Sequence, residues 1–218
     1  MSRGIFVTGT DTGVGKTVAA CALLRRHAAR GLRAVGMKPV ASGIAADAAC
    51  NADVAALEAA GNVEAPLAAR NPYAFTPAIA PHLAARHAGV SIELGRITDA
   101  YRELALRADR IVVEGAGGAF SPLDDDHDML DIAATIGLPV LLVVGVRLGC
   151  LNHALLSALA IRMRGLTMAG WVANAIEPTL PEFDENVATL QRRLAAPRLA
   201  TLRWSDDGAP RWNGAAAM

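Results

Sequence analysis

The sequence predicts a doubly wound α/β domain, a mostly parallel sheet flanked by helices, and three observations carry that prediction. Short apolar runs recur from one end of the chain to the other, and stretches of helical periodicity alternate with them. Several runs are apolar at every position, Val140-Leu141-Leu142-Val143-Val144 most clearly. A strand of that kind belongs in a parallel sheet covered on both faces. No Pro-, Gly- or Ser-rich linker divides the 218 residues, so one domain over 1–218 with a sizeable core is expected.

The first strand is expected at 5–9, where Ile5-Phe6-Val7 is β-branched or aromatic throughout. Residues 16–30 read as a helix, rich in Ala, Leu and Arg, with Ala19, Ala22, Leu23 and Arg26 at helical spacing. A second strand is expected at 34–38; Pro39 bars a helix there, and Ser42-Gly43 marks a turn. Helical patterns then cover 52–60 and 92–107. Ile111-Val112-Val113 forms the body of a strand at 110–114 that ends on Glu114. A helix at 128–136 follows the run Asp124-Asp125-Asp126-His127-Asp128. That run suits a metal or, more cheaply, a solvated loop that caps the helix after it. Strands at 139–145, 168–173 and 198–202 alternate with helices at 152–164 and 182–194. No internal repeat is evident, and Ala215 to Met218 reads as a loose tail.

Only two of the 21 basic residues are lysine, Lys16 and Lys38, and each follows an apolar run. In a chain that otherwise uses arginine, the exceptions mark places where a compact point charge serves and a planar fork does not. Lys16 lies in Gly9-Thr10-Asp11-Thr12-Gly13-Val14-Gly15-Lys16-Thr17, between the first strand and the first helix. Strand, Gly-rich loop, helix is the context of a phosphate-binding loop. Glycines let backbone N–H groups converge on an anion, and the helix N-terminus adds unpaired donors and its dipole. Lys16 would reach the β- and γ-phosphates, and the Thr17 hydroxyl would ligate Mg²⁺. In the usual spacing a glycine stands at the place of Thr10; here it is Gly9, one step earlier. A Gly-rich turn that binds nothing is the bland alternative.

Glu114 ends its strand in Glu114-Gly115-Ala116-Gly117-Gly118. A carboxylate at the C-terminal end of a buried parallel strand faces the crevice where such sheets bind ligands, though it can also be an ordinary strand-end acid. Asp53 starts a helical stretch, so it reads equally as an N-cap and as a Mg²⁺ ligand. Lys38 hangs off a strand end on the same rim as Lys16; its alternative is a solvent-exposed cation.

Composition narrows the function. Net charge is zero, with 21 basic and 21 acidic residues interspersed, so no electrostatic footprint for nucleic acid or an anionic membrane is expected. No apolar run reaches transmembrane length, and the opening strand is expected to leave no room for a signal peptide. Cys21, Cys50 and Cys150 are odd in number and isolated, which fits reduced thiols in the cytoplasm better than disulfides or zinc. His82 and His153 lack partners at metal-ligand spacing.

Taken together, VTGTDTGVGKT (7–17), MKPVASG (37–43), NPYAF (71–75) with Pro81-His82, VEGAGG (113–118), VVGVRLGCLNHALL (143–156) and GLTMAGWVAN (165–174) resemble the dethiobiotin synthetases of biotin biosynthesis. The resemblance spans nearly the whole chain and implies a P-loop NTPase-like fold. It implies an ATP-dependent cyclo-ligase that acts on 7,8-diaminononanoate and CO₂ and closes a ureido ring. The ATP site it implies comprises Gly13, Val14, Gly15, Lys16, Thr17 and Val18 of the loop, then Asp53, Glu114, Gly115, Ala116 and Gly117. Asn174 and Ala175, with Arg203, Trp204 and Ser205, match positions around adenine. By the same resemblance Lys16 and Lys38 are catalytic, and Thr12, Ser42 and Asn152 bind substrate. Thr17, Asp53 and Glu114 are the implied Mg²⁺ ligands. The resemblance further implies a homodimer in which the segment matching 147–153 holds the substrate carboxylate across the interface. Asn152 is the candidate there; read on its own it is equally a plain helix N-cap.

Three departures from the family pattern stand out. Gly13 replaces an acid found in some members, the stretch from Ser42 to Asp53 is short, and Arg203-Trp204-Ser205 stands where a Pro-Trp-Leu-like segment is common. The alternative function is a nucleotide-switched dimeric P-loop ATPase that regulates or positions a partner. Those proteins typically carry a second lysine near the start of the loop, and Thr10 to Val14 contains none. A cobyrinate-type amidotransferase would need a glutaminase domain for which 218 residues leave no space.

Overall fold

Alternation along the first strand decides the layering. In the computed structural model, which describes residues 4–45 and 47–204 and the backbone of 211–213, β1 (Gly4–Gly9) sends Ile5 and Val7 to one face and Phe6 to the other. The face of Ile5 and Val7 is covered by α1 (Lys16–Ala28) and α2 (Ala52–Ala60). The face of Phe6 is covered by α5 (Leu94–Arg107), α6 (Met129–Ile136), α7 (Cys150–Met163) and α8 (Phe183–Arg193). The other strands of this sheet are β2 (Ala34–Met37), β5 (Arg110–Glu114), β6 (Val140–Val146), β7 (Met168–Ala175), β8 (Arg198–Arg203) and β9 (Arg211–Asn213). Their order is β2-β5-β1-β6-β7-β8-β9, parallel throughout except that β9 runs antiparallel to β8.

From β1 the chain winds first toward β2 and β5 and then back across to β6, β7 and β8. The double winding leaves a crevice at the carboxyl ends of β1, β5 and β6. Register makes it specific: Val7 lies beside Glu114, and Gly9 beside Val143. Every residue of β6 is buried, as its unbroken apolar run requires. Trp171, Phe6, Leu24 and Met37 are fully buried too, and large apolar side chains contribute about 1.5–3 kcal/mol each by leaving water.

All the strands and helices expected from the sequence are present. Four described elements at the rim were not anticipated: β3 (Val40–Ser42), which pairs in parallel with β4 (Tyr73–Phe75), α3 (Leu67–Arg70) and α4 (Pro81–His87). β9 was also unanticipated. All of these but α4 have three or four residues, too short to display a period, and the seven residues of α4 span about two turns. Asp128 caps α6 as the acidic run implied: its carboxylate accepts from Leu130 N at 2.8 Å, and Asp131 accepts from Asp128 N at 2.8 Å. Arg164 pairs with both acids and ties the end of α7 to that cap. The expected tail at 215–218 lies outside the described residues, as does Ser205. Among the described residues no helix is long and apolar enough to cross a membrane.

Candidate functional site

The loop from Gly9 to Lys16 is held from three sides. Thr10 N donates to Val143 O at 3.0 Å, which pins the loop to β6. Asn174, at the end of β7, donates from Nδ2 to Val14 O at 2.8 Å. Gly15 adopts φ 90°, and a Cβ there would stand 2.1 Å from Asn174 Nδ2, so only glycine fits. Gly9 is crowded in the same way, with Val14 Cγ2 at 2.6 Å from where its Cβ would be. The early glycine therefore replaces the usual one by packing beneath Val14. Helix α1 begins on Lys16 with no side-chain cap and no acid in its first turn. Its first N–H groups are left free for an anion.

Lys16 is buried, and its Nζ donates to the backbone carbonyl of Asp11 at 2.9 Å. Burial, reinforced by the nearby charge of Lys38, pulls its pKa down to about 8. Beside it stands a second cluster. Lys38, just past β2 and only 4% exposed, donates to Glu114 Oε1 at 2.6 Å and Asp53 Oδ2 at 2.7 Å. Burial opposes its charge, but Glu114 and Asp53 outweigh burial and hold its pKa above the ordinary lysine value. Thr17 Oγ1 lies 2.9 Å from both Asp53 Oδ1 and Glu114 Oε1. Asp53 is not the cap of α2. That position is Asn51, whose side chain accepts from Asp53 N at 2.9 Å, so the Asp53 carboxylate is free to face Thr17 and Lys38. Burial raises the pKa of Glu114 despite Lys38, whereas for Asp53 the pull of Lys38 overcomes burial and lowers it.

The residues present fit a magnesium ion. Glu114 Oε2 is buried without a hydrogen-bond partner among the described residues, an acceptor poised for a cation. Two carboxylates and a hydroxyl make an oxygen-only set with room for water and phosphate, which is how Mg²⁺ binds. Among the described residues no group of three or more His, Cys, Asp or Glu gathers at metal spacing.

These groups line a cavity of about 650 Å³, together with Thr12, Gly13, Val18, Ser42, Asn51, Ala116, Gly117, Ser121 and an apolar wall at 78–81. A drug-sized ligand needs a site of this order. A smaller recess of about 210 Å³ continues from Gly13, Gly15 and Val18 to Asn174, Ala175, Ile176 and Trp204. Asn174 Oδ1 is buried there with no partner among the described residues. Trp204 is 50% exposed on the rim, and the exposed Arg203 pairs with Asp184 and lies over the Phe183 ring.

Asn152 stands apart. The N-cap of α7 is Gly149, with φ 92°, and Asn152 is the third residue of the helix, exposed, so the plain N-cap reading does not hold. It is not among the residues lining either cavity. Three contributors escaped the sequence reading: Asn51, Ser121 and the wall at 78–80. An Asn immediately before a helical stretch was a legible cap signal. The wall carries no chemical group, and nothing in the sequence marks it.

The AAA domain family matches residues 3–210. The ATP-dependent dethiobiotin synthetase BioD of Nitrosospira multiformis is 50% identical over 207 residues, covering 95% of this chain and 91% of the relative. That of Ralstonia nicotianae is 50% identical over 199 residues, covering 90% and 87%. Among solved structures, the MinC:MinD cell division protein complex of Aquifex aeolicus superposes with a TM-score of 0.61 at 15% identity, over 94% of this chain and 83% of that one. The septum site-determining protein MinD of Pyrococcus horikoshii, complexed with Mg-ADP, gives 0.57 at 14%, over 96% and 87%. At such identities the structural likeness concerns the fold alone.

Proposed function

The chain belongs to the ATP-dependent dethiobiotin synthetases, and we propose the following assignment of its residues to the cyclo-ligase reaction of that family. One amine of 7,8-diaminononanoate captures CO₂ as a carbamate. A carbamate oxygen attacks the γ-phosphorus of ATP, the bond to the β–γ bridging oxygen breaks, and ADP leaves. The second amine then attacks the carbonyl carbon of the carbamoyl phosphate, and phosphate leaves as the ureido ring closes. Attack of one anion on another needs concentrated positive charge in a dry site. The observation that carries the assignment is the pair of buried lysines facing one cavity, Lys16 from the loop and Lys38 from the carboxylate cluster.

Lys16 and the free N–H groups of Gly13, Val14, Gly15, Thr17 and Val18 hold the β- and γ-phosphates. Lys38 takes up the carbamate and the phosphoryl group in flight. Thr12 and Ser42 orient the diamine end, and Gly115, Ala116 and Gly117 let the backbone approach. When bound, Mg²⁺ on Thr17, Asp53 and Glu114 supplies a divalent charge against the phosphate oxygens. Asn174 Oδ1, the unpartnered acceptor of the recess, takes the adenine amino group, with Ala175, Arg203 and Trp204 around the base.

A homodimer is part of the same proposal. Leu156, Leu159 and Met163 form an exposed apolar row along α7, flanked by Leu148 and Phe120. A second copy covering that row would bring Asn152 of the partner subunit to the carboxylate tail. The three free cysteines support a reducing compartment, the cytoplasm, for this single-domain enzyme. The test is phosphate release with Mg·ATP and bicarbonate, with and without 7,8-diaminononanoate, and mass spectrometry of the product. Diamine-dependent release with a cyclic urea is expected. Release that ignores the diamine would instead favour the switch ATPase.

A further inference from the structure

One ion pair ties the phosphate loop to a distant segment of the chain. Arg147 leaves β6 just before α7, and its Nη2 lies 2.7 Å from Asp11 Oδ2. The other carboxylate oxygen of Asp11 accepts from Thr12 N at 2.7 Å, and the Asp11 carbonyl accepts from Lys16 Nζ at 2.9 Å. Asp11 C=O and Thr12 N–H are the two ends of one planar peptide unit. The side chain of Asp11 therefore grips one end of that plane while Lys16 holds the other. Rotation of the carboxylate would release Thr12 N–H, tilt the carbonyl and move the resting place of the Lys16 ammonium. Arg147 is what braces the carboxylate against rotation.

We propose that Arg147 is a positioning residue for the nucleotide site, acting through Asp11 on the Asp11–Thr12 peptide plane and touching neither substrate nor nucleotide. The proposal rests on the reading of this loop as the phosphate site. Stability is a poor reason for the pair: its side chains are 39% and 48% exposed, and such pairs contribute about 0–1 kcal/mol. The competing role, an anchor for the carboxylate tail of the substrate, would require Arg147 to leave a carboxylate it already holds.

The experiment is a double-mutant cycle on the full chain with Arg147→Ala, Asp11→Asn and the double variant. It reads the Kd for Mg·ADP, the KM for ATP and for the diamine, and the Tm. Asparagine can still accept from Thr12 N and lacks the ionic partner, so it isolates the brace. Each single variant is expected to weaken Mg·ADP binding and raise the KM for ATP by about two- to fivefold, the range an exposed ion pair can supply. The double variant should be no worse than either single one, and Arg147→Lys should restore most of the loss, since one nitrogen makes the contact. Tm should stay put, and any rise in the KM for the diamine, passed on through Thr12, should be equal in Arg147→Ala and Asp11→Asn. A rise in the diamine KM with Arg147→Ala alone would identify a substrate anchor and overturn the proposal, as would additive effects or unchanged nucleotide binding. Failure of the unmutated chain to bind Mg·ADP would overturn it along with the phosphate-site reading. The Mg·ADP titrations decide it whether or not dethiobiotin forms, so failure of the substrate assignment stays separable.

Discussion

The phosphate loop and the carboxylate cluster beside it each bury one of the chain's two lysines, with opposite results. Lys16 is 6% exposed and Lys38 4%, so both lose hydration to a similar degree. Lys16 meets a backbone carbonyl, and burial drags its pKa down to about 8. Lys38 meets two carboxylates, which hold its pKa above the ordinary value. Burial sets how much is at stake, and the partner sets the sign. The loop therefore carries a cation that its neighbouring carboxylates compensate only in part, whereas in the cluster two directly bonded carboxylates outweigh the burial of Lys38.

Removing Lys38 should have the largest effect and would break the comparison if it did not. Lys38→Met leaves Glu114 buried beside Asp53 without its hydrogen-bonded cation, with only Lys16 nearby, and loss of one member of a buried pair costs about 3–5 kcal/mol. Denaturant unfolding without metal should report that loss, and added Mg²⁺ should recover part of it. Lys38→Arg separates charge from shape. It should retain nucleotide binding and lose roughly 100-fold in turnover, since a planar fork displaces the carbamate. Near-normal turnover would remove Lys38 from the chemistry.

Lys16→Met should behave in the opposite way. The folded protein spends about 3 kcal/mol keeping that lysine charged, judged from the fall of its pKa from 10.5 to about 8. The variant should therefore unfold later than the parent, by about 1–3 kcal/mol, while binding Mg·ADP roughly 100-fold more weakly for want of a charge-assisted contact. A less stable variant would show that the lysine is held by more than the carbonyl of Asp11.

A proton should follow the nucleotide. Because the folded pKa of Lys16 is depressed, its stability cost is complete below pH 8 and is relieved as pH rises from about 8 toward 10.5. The empty site is thus losing its ammonium above pH 8, and phosphate oxygens should draw the proton back. Calorimetry in buffers of different ionisation enthalpy should show little proton uptake on Mg·ADP binding at pH 7 and growing uptake toward pH 9. Lys38, held above 10.5, should contribute none of it. The smallest effect belongs to the open rim. Trp204→Ala should raise the KM for ATP by about fivefold without moving Tm, because the indole is half exposed and contributes one stacking face at most. Competition by other triphosphates should be measurable for the same reason; strict ATP selectivity would mean that Asn174 alone reads the base.

Periodicity and punctuation determined the sheet and its helices. Unbroken apolar runs such as 140–144 can be buried only between two layers, and the order strand, Gly-rich loop, helix pointed to a phosphate-binding use for Lys16. Rarity singled out Lys38, and strand ends singled out Glu114. What periodicity does not carry is which ends meet. Asp53 was balanced between cap and ligand until Asn51 took the cap. Asn152 lost its capping role to Gly149 and lines neither of the two cavities described above. Arg147 looked like one residue in a loop, and only folding brings it to Asp11, 136 positions away in sequence. Local backbone preferences act over a turn or two of chain, so the sequence alone determined the longer elements and the candidate residues at their ends, and missed the short β3, β4, α3, α4 and β9. The direction in which each buried group's pKa moves is a matter of distances between strand ends, and the tertiary structure alone decided it.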